Sequence, residues 1–130
     1  MESQPVREKL SVLIVEPQFE VAECIAAQLH HLNATTVISE DSAQTIDALG
    51  RFTFSLVLFD EWLAGQLGPA AVRAIRDAAP NVPIVLMIGG DGTSKTLVDL
   101  RACAILRKPF ALADITDVVG RFAASCPTRS

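Results

Sequence analysis

The chain alternates between two hydrophobic rhythms. Nearly continuous apolar runs over residues 10–15, 54–59 and 84–88 are separated by stretches in which apolar residues recur at three- and four-residue intervals. The first rhythm suits strands covered on both faces, and the second suits amphipathic helices. A strand over 10–15 is followed by Pro17 and by a helix with Phe19, Ala22, Ile25, Leu29 and Leu32 on one face. A weaker strand over 34–39 is rich in β-branched Thr35, Thr36, Val37 and Ile38. Asp41 or Ser42 caps a short second helix ending at Gly50, ahead of the third strand over 54–59.

Asp60 is followed by a stretch with Gly65 and Gly68 that reads as a loop. Pro69 suits the first position of a third helix, with Ala71, Val72, Ile75 and Ala78 inward. Pro80 and Pro83 bracket the turn into a fourth strand over 84–88. Gly89, Gly90, Asp91 and Gly92 lead to a short helix over 93–100, and a fifth strand covers 103–106. The last helix turns Leu112, Ile115, Val118, Val119 and Phe122 inward and ends near Ala124. Five βα units with short connections and no repeat predict one α/β domain over 1–130, its core about 9–124. Its sheet would be doubly wound, parallel and five-stranded.

That architecture gives three residues a common address. Glu16 ends the first apolar run, Asp60 ends the third, and Lys108-Pro109-Phe110 follows the fifth strand. In a parallel α/β sheet all strands open at their carboxyl ends on one edge, where ligands bind at the point of reversed strand order. Two acids and a lysine, each one step past a buried strand, are expected to share one crevice.

Composition narrows the function classes. The 130 residues are 50% hydrophobic and 20% charged, which excludes a disordered chain. A net charge of -4 and a pI near 5.0 argue against an extended basic footprint for nucleic acid. No apolar stretch reaches the roughly 18 residues that span a bilayer, and the polar first nine residues lack a signal peptide's apolar segment. The three cysteines have no metal-binding spacing, and an odd count suits a reducing cytoplasm. Cys24 and Cys103 lie in apolar segments and read as core thiols, whereas Cys126 falls in a tail.

Taken together, Val12-Leu13-Ile14-Val15-Glu16, Leu56-Val57-Leu58-Phe59-Asp60, the segment Leu63-Ala64-Gly65-Gln66-Leu67-Gly68, Pro83-Ile84-Val85-Leu86-Met87 and Lys108-Pro109-Phe110 resemble the receiver domain of two-component response regulators. The resemblance covers nearly the whole chain. It implies a flavodoxin-like fold with strand order 2-1-3-4-5 and a place in phosphorelay signal transduction. It assigns Asp60 as phosphoacceptor and Lys108 as the phosphate-binding cation. It also assigns Mg²⁺ to Glu16, Asp60 and the backbone carbonyl of Trp62. The implied partners are a histidine kinase or phosphotransfer protein, and a downstream protein bound through the helix before strand five, strand five and the last helix. Arg101, Arg107 and Arg121 lie near that face. A homodimer is compatible with the same resemblance, and with no output domain on this chain the effect would pass through a separate protein.

The chemistry accounts for those residue types. A carboxylate nucleophile splits phosphoryl transfer into two steps through an acyl phosphate, and a cation must neutralise charge on the phosphoryl oxygens. The chain departs from the family where that chemistry is most exacting. Pro17 stands where a second acid is usual, Ile88 where a hydroxyl follows strand four, and Ile105 where strand five carries an aromatic switch residue. Ala64 replaces a proline after strand three, and the interval from Ile88 to Lys108 is about two residues short. Losing a hydrogen bond to a charged phosphoryl oxygen costs roughly 1.5–3 kcal/mol. The larger effect is on switching, since a ligand without differential contacts shifts no equilibrium.

Two other classes stay in view. One is a phosphorylation-independent interaction module, a pseudo-receiver locked in one state. The other is a small nucleotide-binding protein using Gly89-Gly90-Asp91-Gly92-Thr93-Ser94-Lys95-Thr96, although Ser94 stands where a phosphate-binding loop needs glycine. Thr93 or Ser94 is also a distant candidate for the missing hydroxyl. Glu61 reads as a solvated neighbour of Asp60, and Trp62 as either a partner anchor or a lid over the crevice. His30 and His31 suit the negative end of the first helix.

Overall fold

The computed structural model describes residues 10–90 and 94–123. Its elements are β1 (Ser11–Val15), α1 (Phe19–His30), β2 (Thr35–Ser39), α2 (Ser42–Arg51), β3 (Leu56–Asp60), α3 (Glu61–Leu67), α4 (Pro69–Ala78), β4 (Ile84–Ile88), α5 (Ser94–Leu100), β5 (Ala104–Arg107) and α6 (Leu112–Val118). A π-helical turn, Val119–Ala123, extends α6. The five strands are parallel in the order β2-β1-β3-β4-β5, with β1 and β3 side by side at the reversal of direction. This is the expected flavodoxin-like, doubly wound sheet.

Strand parity sorts the core into two layers. Val12, Ile14, Leu56, Leu58, Val85, Met87 and Leu106 pack against Ala22, Ile25 and Leu29 of α1 and Ile115 and Val118 of α6. Leu13, Val15, Val57, Phe59, Ile84, Leu86 and Ile88 face α2 to α5 through Ala48, Leu63, Ala64, Val72, Ile75 and Leu100. Successive strand residues point to opposite faces, so unbroken apolar runs are what a sheet covered on both sides requires.

Several expectations need correction. The stretch after Asp60 is not a loop: α3 begins at Glu61 and runs through Gly65. An α-helix needs the N–H of Ala64 to bond back to Asp60, and the proline usual at that position lacks it. Gly68 then breaks the chain at φ 89°, in the left-handed region, and Pro69 opens α4. Cys24 and Cys103 are exposed, not core thiols. Cys24 lies off the inward stripe of Ala22, Ile25 and Leu29, and Cys103 precedes an edge strand.

Phe19 and Leu112 are also exposed, each opening its helix beyond the covered part of the sheet. Ala78 faces outward at the end of α4, where Arg76 turns in instead. The Arg76 guanidinium donates to the carbonyls of Ala79, Val82 and Arg101, tying α4 to the start of β4 and the end of α5. Cys126, Thr93, the Asp91-Gly92 part of the glycine-rich stretch and the end of the last helix at Ala124 lie outside the described residues, as does the Ser94 side chain.

Candidate functional site

Parity also builds the site. On β1 the residues facing α1 and α6 are Val12 and Ile14, and Glu16 continues that alternation past the strand end. On β3 the series is Leu56, Leu58 and Asp60, and from β5 it is Leu106 and Lys108. Backbone pairing carries two of them beyond their strands. The Glu16 N–H donates to Ser39 O at 3.0 Å, and the Lys108 N–H to Ile88 O at 2.7 Å. Three polar side chains of one parity therefore emerge side by side at the carboxyl edge.

They meet. The Lys108 ammonium donates to Glu16 Oε1 at 2.5 Å and to Asp60 Oδ1 at 2.8 Å. Glu16 is 1% exposed and Asp60 6%. Their remaining oxygens are also engaged: Glu16 Oε2 accepts the Gln18 N–H at 3.2 Å, and Asp60 Oδ2 accepts the Leu63 N–H at 2.9 Å. Asp60 is thus the N-cap of α3 as well as the end of β3. Burial alone would pull the Lys108 ammonium below the ordinary 10.5. The hydrogen bonds it donates to Asp60 and Glu16, together with their charge, outweigh that penalty and raise its pKa.

The trio opens on a cleft of about 670 Å³, lined also by Pro17, Glu61, Trp62, Gly89 and Gly90. Trp62 stands on its rim with 62% of its surface exposed. Its carbonyl belongs to the second residue of α3, and helical carbonyls point along the axis toward the C-terminus. Pro17 brings no oxygen ligand on its side chain. Ile88 is buried in the layer facing α3 and α4, so residue 88 does not line the cleft, and Gly89 does. Ile105 is 43% exposed on the edge strand β5. The backbone donors of Gln18 and Leu63 were not foreseen; the spacing from Asp60 to Leu63 is an N-cap signature obscured by the nearby glycines.

The donor set can be weighed against Mg²⁺, which wants several oxygens in near-octahedral array. Two carboxylates come together here, and each already gives one oxygen to the same ammonium. Among the described residues no group of three or more His, Cys, Asp or Glu side chains is arranged to hold a metal. In this arrangement the residues do not fit a divalent ion. The arrangement does provide a nucleophilic carboxylate with a fixed cation beside it, at the open edge of the sheet.

Sheet order and an acid–lysine cleft at the strand reversal define a flavodoxin-like α/β domain with a site at its carboxyl edge. The response regulator receiver domain family matches residues 12–120, and the chain belongs to that family, the receivers of two-component signalling. An NtrX-like response regulator of Rickettsia felis is 30% identical over 107 residues, covering 78% of this chain and 22% of that protein. Its counterpart in Rickettsia bellii is 29% identical over 106 residues, with the same coverage. The chain therefore spans about a fifth of the length of the curated relatives it matches.

Solved structures share the fold. The receiver domain of a sensor histidine kinase from Pseudomonas aeruginosa PAO1, with a magnesium ion coordinated in its active site cleft, superposes with a TM-score of 0.78. The two are 22% identical, over 91% of this chain and all of that one. NtrX from Brucella abortus, in complex with ADP, also reaches 0.78 at 21% identity, over 92% of this chain and 27% of that one. Among the described residues no helix is long and apolar enough to cross a membrane.

Proposed function

We propose that this domain is an atypical receiver in which Asp60 accepts a phosphoryl group slowly, with Lys108 as the neutralising cation. The observation that carries the proposal is the Lys108 ammonium bridging Glu16 and Asp60 in one open cleft. The donor is a phosphohistidine on a histidine kinase or phosphotransfer protein. An Asp60 carboxylate oxygen attacks phosphorus, the P–N bond breaks, and the imidazole leaves and takes up a proton. Lys108 then offsets charge on the phosphoryl oxygens. The reaction is slow because the residues as arranged do not fit a divalent metal and Gly89, which lines the cleft after β4, offers no hydroxyl. Mass spectrometry after incubation with acetyl phosphate tests this: one phosphoryl group is expected on Asp60 and none on Asp60→Asn. No gain with acetyl phosphate or with a phosphorylated kinase domain would refute it.

A second reading has its own support. With Ile88 buried in the core and Ile105 on an exposed edge strand, a phosphoryl group gains few contacts that distinguish two conformations. The domain would then bind its downstream partner irrespective of phosphate, through α5, β5 and α6, where Val98, Ile105 and Leu112 are exposed. Partner affinity equal for wild type and Asp60→Asn supports that reading; a tenfold difference, about 1.4 kcal/mol, rejects it.

A further inference from the structure

The four carboxylate oxygens of Glu16 and Asp60 all have protein donors, two of them on a single ammonium. Both acids are buried, and Lys108 is fixed to β4 through its own backbone N–H. One positive charge against the two negative charges of Glu16 and Asp60 leaves this trio with a single net negative charge, and the Glu61 carboxylate lines the same cleft. A divalent cation binds by charge and by oxygen count, and gives up its water reluctantly. Here it would have to sit beside an ammonium already in contact with both acids. Space is not the obstacle, since the cleft is about 670 Å³. Pro17, Gly89 and Gly90 line it without contributing a side-chain oxygen, whereas Gln18 and Glu61 line it with theirs.

We propose that Lys108 is the resident cation of this cleft and keeps divalent metal out of it, so that Glu16 and Asp60 become a divalent site only when the ammonium is removed. The proposal rests on reading the cleft as the receiver's acidic site; phosphate transfer at Asp60 is no part of it. Glu16 is then a positioning residue: it holds the lysine between the two acids. The competing explanation for weak metal binding is the acid missing at position 17, and the two explanations part under mutation.

The test is calorimetric titration with MgCl₂ alone, without a phosphoryl donor, on wild type, Lys108→Met and Pro17→Asp. Methionine keeps much of the lysine stem and removes the charge, while Pro17→Asp adds a carboxylate and leaves Lys108 in place. We expect Lys108→Met to bind Mg²⁺ at least about tenfold more tightly than wild type, and Pro17→Asp to gain less than Lys108→Met does. A gain below tenfold in Lys108→Met overturns the proposal, as does a Pro17→Asp gain that equals or exceeds it. Should Lys108→Met not fold, Pro17→Asp decides alone: a gain below about tenfold supports the proposal, and a larger one overturns it. Phosphorylation is read separately by mass, so failure of transfer at Asp60 is distinguishable from failure of the metal prediction.

Discussion

Replacing Lys108 by methionine removes the only counter-charge in contact with two buried carboxylates among the described residues. Breaking a buried pair from one side costs about 3–5 kcal/mol, because an uncompensated charge stays behind. Two features set the figure here. Both acids lose the same partner, which raises the cost. The Lys108 side chain is 21% exposed and water can enter the cleft, which lowers it. We therefore expect a loss of about 3 kcal/mol at neutral pH, a large share of the roughly 5–15 kcal/mol that holds a small domain together. Urea denaturation followed by far-UV circular dichroism measures it; Trp62 is too exposed to report unfolding well. The pH dependence adds a signed check. Because the folded-state pKa of Lys108 is raised above 10.5, its contribution is complete below that value and disappears as pH rises through the higher folded value. The stability gap between wild type and Lys108→Met should stay flat to about pH 10 and close above it. A loss below about 1 kcal/mol, the worth of an exposed ion pair, would refute the picture of two buried acids held by one ammonium.

Other expectations concern the scaffold around the site. Gly65 lies within α3 with nothing within 4 Å of an added Cβ, so Gly65→Ala should raise stability by about 0.5–1 kcal/mol; a destabilised Gly65→Ala would mean that the segment is not helical. Gly68 also has open space, but its φ of 89° makes Gly68→Ala lose stability by about 1 kcal/mol, and a neutral thermal melt would contradict that backbone. Arg76→Met leaves the carbonyls of Ala79, Val82 and Arg101 without their charged donor and should cost about 2–4 kcal/mol in urea denaturation. A loss under about 1 kcal/mol would mean that water replaces the guanidinium there.

Much of this was legible because strand periodicity is rigid. Continuous apolar runs located β1, β3 and β4, and the residue after each run had to emerge at the carboxyl edge; Glu16 and Asp60 needed nothing more. The family pattern supplied strand order, which short connections alone leave open. Helix α3 was hidden because seven residues with a glycine at the fifth carry no clear periodicity, and the decisive feature is that Ala64 has an N–H to donate. Cys24, Phe19 and Leu112 are apolar residues at helix starts or off the inward stripe, where composition says core and geometry says surface. The sharing of Lys108 between two acids was beyond pattern, since it depends on how far Glu16 reaches once Pro17 and Gln18 have turned the chain.

The convergence of Glu16 and Asp60 on one ammonium can be read directly by nuclear magnetic resonance. The chain has only three lysines, Lys9, Lys95 and Lys108, so ¹⁵N-labelled ammonium signals are few enough to assign. The Lys108 signal is expected to be protected from solvent exchange and to shift in both Glu16→Gln and Asp60→Asn. A Lys108 ammonium that exchanges as freely as a solvated lysine, or that ignores either substitution, would contradict the account.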